Sequence, residues 1–149
     1  MKKYLGTKMI SAEPCKAWKD AGGHKIGDDG YKVIYEDGYT SWSPKDVFEK
    51  AYRETSGLTF GLAIEALKKG FAVRRKGWNG KGIFIALKRP TDTSDMTHAY
   101  IYIDTTELLT DNPYAPKDVV PWLASQTDML ASDWEIVPSA SRGLENDAG

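Results

Sequence analysis

The chain has 149 residues, of which 41 % are hydrophobic and 28 % charged, so it can bury a core and still present a polar surface. Its 20 Lys and Arg residues nearly balance its 21 Asp and Glu residues, which excludes a highly basic nucleic-acid coat and an acidic tail protein. The balance hides two opposed blocks: residues 65–89 carry 8 basic and 1 acidic groups, and residues 90–149 carry 2 basic and 11 acidic groups.

The first predicted module, residues 1–56, combines short strands with one helix. Asp37-Gly38 is typical of a hairpin turn, because its residues adopt positive φ angles easily. Ser43 as N-cap, Pro44 at the first helical position and Asp46 as a capping-box acid predict the start of a helix. The predicted elements are strands over residues 8–12, 31–36 and 39–42 and a helix over residues 44–53.

The second predicted domain, residues 57–137, opens with a helix over residues 60–69 that Thr59 caps and Gly70 ends. Apolar residues recur along it at helical spacing, which indicates one buried face. The further predicted elements are strands over residues 71–75, 83–87, 99–103 and 134–137 and a short helix over residues 126–131. The fold class is therefore α+β, a small antiparallel sheet with short helices behind a β-hairpin and helix module. Residues 138–149 are predicted to be a disordered tail.

A glycine-rich turn, Gly77 to Gly82, is the first candidate binding site. Trp78 offers a flat surface on which a base could stack, worth on the order of 1–3 kcal/mol, and Asn79 offers a donor and an acceptor. The cations nearby would attract phosphate: Arg74, Arg75, Lys76 and Lys81. The alternative is a plain hairpin turn with a packing tryptophan, and the residues alone leave both interpretations open.

The segment from Pro121 to Asp128 is the second candidate site. It leads into a predicted helix N-terminus, whose free N–H groups and positive dipole end favour an anion. Ser125, Gln126 and Thr127 would add side-chain donors, and the Asp128 carboxylate could bond ribose hydroxyls. The alternative is structural: Ser125 and Asp128 would cap their own helix while Trp122 fills the core.

No nucleophile, general base and orienting group can be assembled from this sequence. Cys15 is the one cysteine, so an internal disulfide and a thiolate metal site are excluded. The N-terminus lacks the apolar segment of a signal peptide, and no run approaches the ~18 apolar residues of a membrane span. These features predict a cytoplasmic protein with no membrane attachment, no cofactor and no metal.

Taken together, three segments resemble a small phage and prophage family, the second type of Thoeris anti-defence protein. They are a helix-forming stretch at residues 58–70, the Gly-Trp-Asn-Gly turn that begins at Gly77, and Trp-Leu-Ala-Ser-Gln-Thr-Asp at residues 122–128. The resemblance covers residues 58–137. Residues 1–56 are an extra module relative to the compact members, and the loop at residues 105–118 is longer than a plain link between strands.

The resemblance implies a sponge rather than an enzyme. Such a protein sequesters glycocyclic ADP-ribose, the signal of a TIR-domain defence protein, in the host cytoplasm, so that the effector is never activated. It implies a homotetramer with pockets between subunits. The near-neutral total charge suits a long polyanion poorly, and no run is long enough to span a membrane, so neither nucleic acid nor membrane is an expected partner. The ligand-binding residues expected from the resemblance and the nearby charges are Arg74, Trp78, Asn79, Gly80, Lys81, Trp122, Ser125, Gln126, Thr127 and Asp128.

Three alternatives remain at this stage. The signal could instead be a cyclic di- or trinucleotide of CBASS-type defence. The protein could hydrolyse a cyclic nucleotide, although no general base or metal cluster is evident. It could also be a DNA- or protein-binding accessory module of the phage, which the basic block at residues 65–89 favours.

Overall fold

A computed structural model describes residues 1–138, and the chain divides into two compact units, Met1–Arg53 and a second that begins at Glu54. Both units combine a small antiparallel sheet with short helical structure, which confirms the predicted α+β class. The predicted disordered tail lies outside the described residues except for Pro138. Within the described range, no helix has the length and apolar character needed to cross a membrane.

The first unit is a three-stranded antiparallel sheet followed by a helix. Its elements are β1 (Ser11–Pro14), β2 (Gly30–Ile34), β3 (Thr40–Pro44) and α1 (Lys45–Ala51), with the strands in the order β1-β2-β3. The predicted hairpin turn is confirmed, because Gly38 has a φ of 84° and its N–H donates to the Tyr35 carbonyl at 2.9 Å. The first strand begins three residues later than the sequence predicted.

The predicted start of α1 is wrong. Pro44 is the N-cap residue with extended angles of −55° and 144°, and no side chain caps the helix. Pro44 is also the last residue of β3, where it pairs with Gly30. The sheet therefore holds Pro44 extended, so Ser43 cannot be the N-cap and Asp46 makes no capping box.

The core of the first unit is small. Ala17 and Val33 are its fully buried apolar residues, and α1 contributes no buried residue. The helix instead packs an aromatic ring on the sheet, since Phe48 stacks on Tyr31 with ring centroids 4.1 Å apart.

The second unit is a five-stranded antiparallel sheet with two helices. Its elements are α2 (Phe60–Lys68), β4 (Val73–Arg75), β5 (Phe84–Lys88), β6 (Tyr100–Asp104), β7 (Val119–Pro121), α3 (Gln126–Leu130) and β8 (Trp134–Ile136). The strand order is β7-β6-β5-β4-β8. Strand β7 was not predicted, because its three exposed residues carry no apolar alternation and gain their pairing from β6, where Val120 faces Ile103.

Helix α2 covers one face of this sheet. The predicted cap is confirmed, since Thr59 accepts a hydrogen bond from the Leu62 N–H at 3.4 Å. Gly70 follows the helix with a φ of 92°, as a C-terminal glycine does. The buried side of α2 packs with residues of the sheet into one cluster: Leu58, Ala63, Ala66, Leu67, Val73, Ile85 and Trp134. This packing holds strand β4 in place through Val73, and both candidate site regions extend from that strand.

Candidate functional site

Strand β4 sends consecutive side chains to opposite faces of the sheet. Val73 is fully buried with α2, and Arg75 follows it on the same face because strand residues alternate. Arg74 lies on the other face, opposite Glu135 of β8. The turn from Lys76 to Gly82 continues from this strand, so one short segment supplies residues to two separate regions.

The first region is a tryptophan cluster, which we define as Trp78, Trp122, Trp134 and Phe60. Trp134 is completely buried at its centre, with ring centroids 5.4 Å from Trp78, 6.0 Å from Trp122 and 5.5 Å from Phe60. The tryptophan pairs meet edge to face, the geometry that the ring quadrupole favours. Trp78 and Trp122 are half-buried against the core, so part of each ring remains accessible.

Asp128 ties the turn to the start of α3. Its Oδ1 accepts hydrogen bonds from the Trp78 indole at 3.1 Å and from Arg75 at 3.0 Å. It also forms the predicted capping box with Ser125, which is confirmed. Burial alone would raise the pKa of Asp128, but the hydrogen bonds from Trp78, Arg75 and Ser125 outweigh it and lower that pKa to about 2.

Asp133 completes this network. It accepts a hydrogen bond from the Arg75 Nε at 2.8 Å and from the Gly77 N–H at 2.7 Å. The Arg75 contact, which outweighs desolvation, and the Gly77 bond lower the pKa of Asp133. A side chain at position 77 would place its Cβ 2.7 Å from the Asp133 Oδ2, so the Asp133 carboxylate would have to shift away from the Gly77 N–H. Arg75 therefore joins the turn, α3 and the start of β8.

The second region is a basic cavity of about 470 Å³ beside the same turn. Its lining residues are Arg74, Arg75, Lys76, Gly80, Lys81, Gly82, Phe84, Glu107, Leu109, Glu135 and Val137. Arg74 is paired with Glu135 at 2.8 Å. The Lys81 ammonium donates instead to the carbonyls of Lys76 and Trp78, at 2.7 and 3.0 Å. Such bonds hold the ammonium in place without cancelling its charge.

The loop at residues 105–118 forms one wall of the cavity. The Leu109 N–H donates to the Lys81 carbonyl at 2.9 Å. Gly82 has a φ of 87°, and a Cβ there would lie 2.1 Å from the Glu107 carbonyl oxygen. Both the backbone angle and the lack of space therefore require glycine at position 82. The loop is closed at its base, where Thr105 and Asp118 exchange backbone and side-chain hydrogen bonds.

The predicted site residues fall into three groups in the structure. Arg74, Gly80 and Lys81 line the basic cavity. Four others belong to the tryptophan cluster and its polar network: Trp78, Trp122, Ser125 and Asp128. Asn79, Gln126 and Thr127 are exposed. The two predicted segments are joined through the bond from Trp78 to Asp128.

Several contacts of these regions could not be predicted from the sequence. Arg75 and Asp133 are separated by 58 residues, so no local sequence pattern predicts their ion pair. Trp134 begins β8, as predicted, but the sequence does not indicate that it is also the centre of the tryptophan cluster. For Arg75 a signal existed, because its spacing from Val73 along a strand places it on the buried face.

Comparison with known proteins identifies the second unit. The model of the Thoeris anti-defense 2-like domain matches residues 58–137. A curated protein, Thoeris anti-defense 2 of Bacillus phage SP01, is 36 % identical over 88 residues, which cover 54 % of this chain and 94 % of that protein. The matched range contains both the tryptophan cluster and the basic cavity, whereas the first unit lies outside it.

Proposed function

Because this chain belongs to the Thoeris anti-defense 2-like family, we propose that it acts in phage anti-defence as a sponge for a cyclic nucleotide signal. The family supports an anti-defence role. The proposed ligand is glycocyclic ADP-ribose from a TIR-domain defence protein, bound without cleavage in the host cytoplasm. Effective sequestration needs a Kd near nanomolar, about −12 kcal/mol.

One observation carries this proposal: a cavity lined by two ammonium groups without ion pairs adjoins the turn that also carries the partly accessible Trp78. Lys76 and Lys81 form no ion pair with any residue in the described part of the chain. A pyrophosphate in the cavity would meet both charges and Arg74. A volume of about 470 Å³ lies within the usual range for small-molecule sites.

The other predicted residues would hold the rest of the ligand. The accessible parts of Trp78 and Trp122 offer stacking surfaces for a base. Asn79, Gln126 and Thr127 are exposed and could bond ribose hydroxyls or the base edge. In this arrangement Ser125 and Asp128 act indirectly, because their capping box and the bond to Trp78 keep the polar surface in place.

The chemistry of the region favours binding over hydrolysis. Three of the acids around the turn are engaged, since Asp128 and Asp133 accept hydrogen bonds from Arg75 and Glu135 pairs with Arg74. A carboxylate with a pKa of about 2, as Asp128 has, is a poor general base near neutral pH. Among residues 1–138 no group of three or more His, Cys, Asp and Glu side chains could hold a metal ion.

Exposed apolar residues of the second unit support assembly into a homo-oligomer, for which we propose a tetramer. Leu123, shortly before α3, is 91 % exposed, and Leu130, the last residue of α3, is 80 % exposed. Val119 and Val120 expose about half of their surface on the edge strand β7. Large apolar side chains at such a site are typical of a surface that another protein covers.

The test is calorimetry with glycocyclic ADP-ribose, followed by heat denaturation and mass spectrometry of the released ligand. We expect nanomolar binding and recovery of intact ligand at one equivalent per site. A cyclic dinucleotide and a DNA duplex, titrated in parallel, test the two alternative ligands. Absence of binding, or recovery of a cleaved product, would overturn the sponge proposal.

A further inference from the structure

The charges around the basic cavity are nearly balanced. Four cations line it, and each arginine already has carboxylate partners: Arg74 pairs with Glu135, and Arg75 with Asp128 and Asp133. The carboxylates that pair with these arginines are mostly buried, so the positive charge of each arginine is largely cancelled. The attraction available to an anion therefore comes mainly from Lys76 and Lys81.

One acid of the cavity stands apart from these pairs. Glu107 lies in the wall that the loop at residues 105–118 forms, and its carboxylate makes no ion pair or hydrogen bond with any residue from 1 to 138. Its backbone is fixed, because Gly82 admits the Glu107 carbonyl at a distance that no side chain would allow. The wall of the cavity therefore includes an exposed acidic residue whose carboxylate has no described partner.

From this arrangement we infer that the basic cavity selects ligands by their negative charge, and that Glu107 sets the upper limit on that charge. The inference rests on the proposed function. Lys76 and Lys81 match the two negative charges of a pyrophosphate diester, in which each phosphorus carries one charge. A nucleotide that ends in a free phosphate brings further charge, and Glu107 repels it. The ligand class is a dianionic pyrophosphate or a pair of phosphodiesters.

Repulsion of this kind discriminates without any direct contact. A cell contains ADP and ATP, which share the adenine and the pyrophosphate of the proposed signal and carry about three and four negative charges at neutral pH. Attractive contacts to the shared groups cannot separate these molecules. A fixed negative charge penalises the more charged competitors, which is a recognised way to gain specificity.

The experiment compares glycocyclic ADP-ribose, ADP and ATP by calorimetry at low salt, using the full chain and the variant Glu107→Gln. In the unmodified protein we expect affinity to fall from the cyclic ligand to ADP to ATP. The variant is expected to gain affinity for ATP about fivefold more than for the cyclic ligand, and added salt should shrink this difference. Asp111→Asn, in the same loop but not in the cavity lining, is the matched control and should leave the ratios unchanged.

The outcomes separate this inference from the function on which it rests. If the unmodified protein binds the cyclic ligand but Glu107→Gln leaves the ratio to ATP unchanged, the charge limit is wrong and the sponge proposal stands. Binding of ATP as tightly as the cyclic ligand by the unmodified protein would also overturn the inference. If none of the three ligands binds, both fail. An unchanged melting temperature shows that the variant is folded, as expected for an acid without a described partner.

Discussion

Arg74 and Arg75 are neighbours in sequence, yet they belong to regions with opposite character. Arg75 faces the tryptophan cluster, where its guanidinium bonds two carboxylates and its side chain is only 14 % exposed. Both arginines line the basic cavity, but Arg74 lies on the other face of the sheet, where it has one carboxylate partner and its side chain is 33 % exposed. The difference shows that strand alternation, rather than residue type, decides which arginine is more buried and bonds more carboxylates.

The same contrast extends to the surrounding groups. Around the tryptophan cluster the polar atoms of Trp78, Trp134 and Asp128 all have partners within the chain. In the basic cavity Lys81 is held by carbonyl oxygens and keeps its full charge. We therefore expect substitutions in the cluster to lower stability most, and substitutions in the cavity to change binding with little loss of stability.

The largest effect should follow from Trp134→Ala. This variant removes a completely buried indole and its bond to the Asp128 carbonyl, so we expect a loss of about 4 kcal/mol in the free energy of unfolding. Urea unfolding followed by circular dichroism measures it. Trp18→Ala is the control, because Trp18 is 47 % exposed, and it should cost far less. Equal losses in the two variants would show that the cluster is not the centre of the core.

Arg75→Met tests the contrast on strand β4 directly. It leaves Asp128 and Asp133 without their shared partner in a partly buried site, so we expect a loss of about 3 kcal/mol. Arg74→Met removes a single ion pair that is more exposed, so the free energy of unfolding should fall by about 1 kcal/mol or less. The measurement is the same urea titration. The distinction between the two faces would be refuted if Arg74→Met proved the more destabilising of the two.

Acid should weaken the cluster through Asp128. Its pKa is about 2 in the folded chain and 3.8 in the unfolded chain. The stabilisation that ionised Asp128 adds to the free energy of unfolding is therefore present above about pH 4 and is lost as the pH falls toward 2. The loss should be about 2 kcal/mol. Comparing urea midpoints of the protein and of Asp128→Asn at neutral pH and near pH 2 isolates this group. A stability difference that does not narrow in acid would contradict the prediction.

Local signals in the sequence were enough for most elements of the second unit. The Thr59 cap, the glycine after α2 and the capping box of Ser125 with Asp128 each depend on residues within a few positions, and all three are present. Strand β7 was missed because its pairing with β6 gives it structure that its own residues do not encode. The start of α1 was wrong for the same reason, since the sheet holds Pro44 extended.

The candidate site was predictable in composition but not in arrangement. The sequence grouped the turn residues with Trp122 and Asp128, and the bond from Trp78 to Asp128 brings these segments together. It could not show that Arg74 and Trp78 face different regions, because that depends on the register of β4 against β8. Nor could it show that Glu107 reaches the cavity, which follows from the close approach of its loop to Gly82.

Lys81→Gln should have the smallest effect on stability and completes the comparison. The ammonium is exposed and bonds only carbonyl oxygens of its own turn among the described residues, so the free energy of unfolding should change by less than about 0.5 kcal/mol. The affinity for glycocyclic ADP-ribose should nevertheless fall about tenfold, because one of two uncompensated charges is removed. Calorimetry measures this loss, and Lys88→Gln, an exposed lysine outside the cavity lining, is the matched control. If the variant unfolds more easily but binds the ligand normally, Lys81 stabilises the fold and does not bind the ligand. The division between a stabilising cluster and a binding cavity would then be wrong for the turn that connects the two regions.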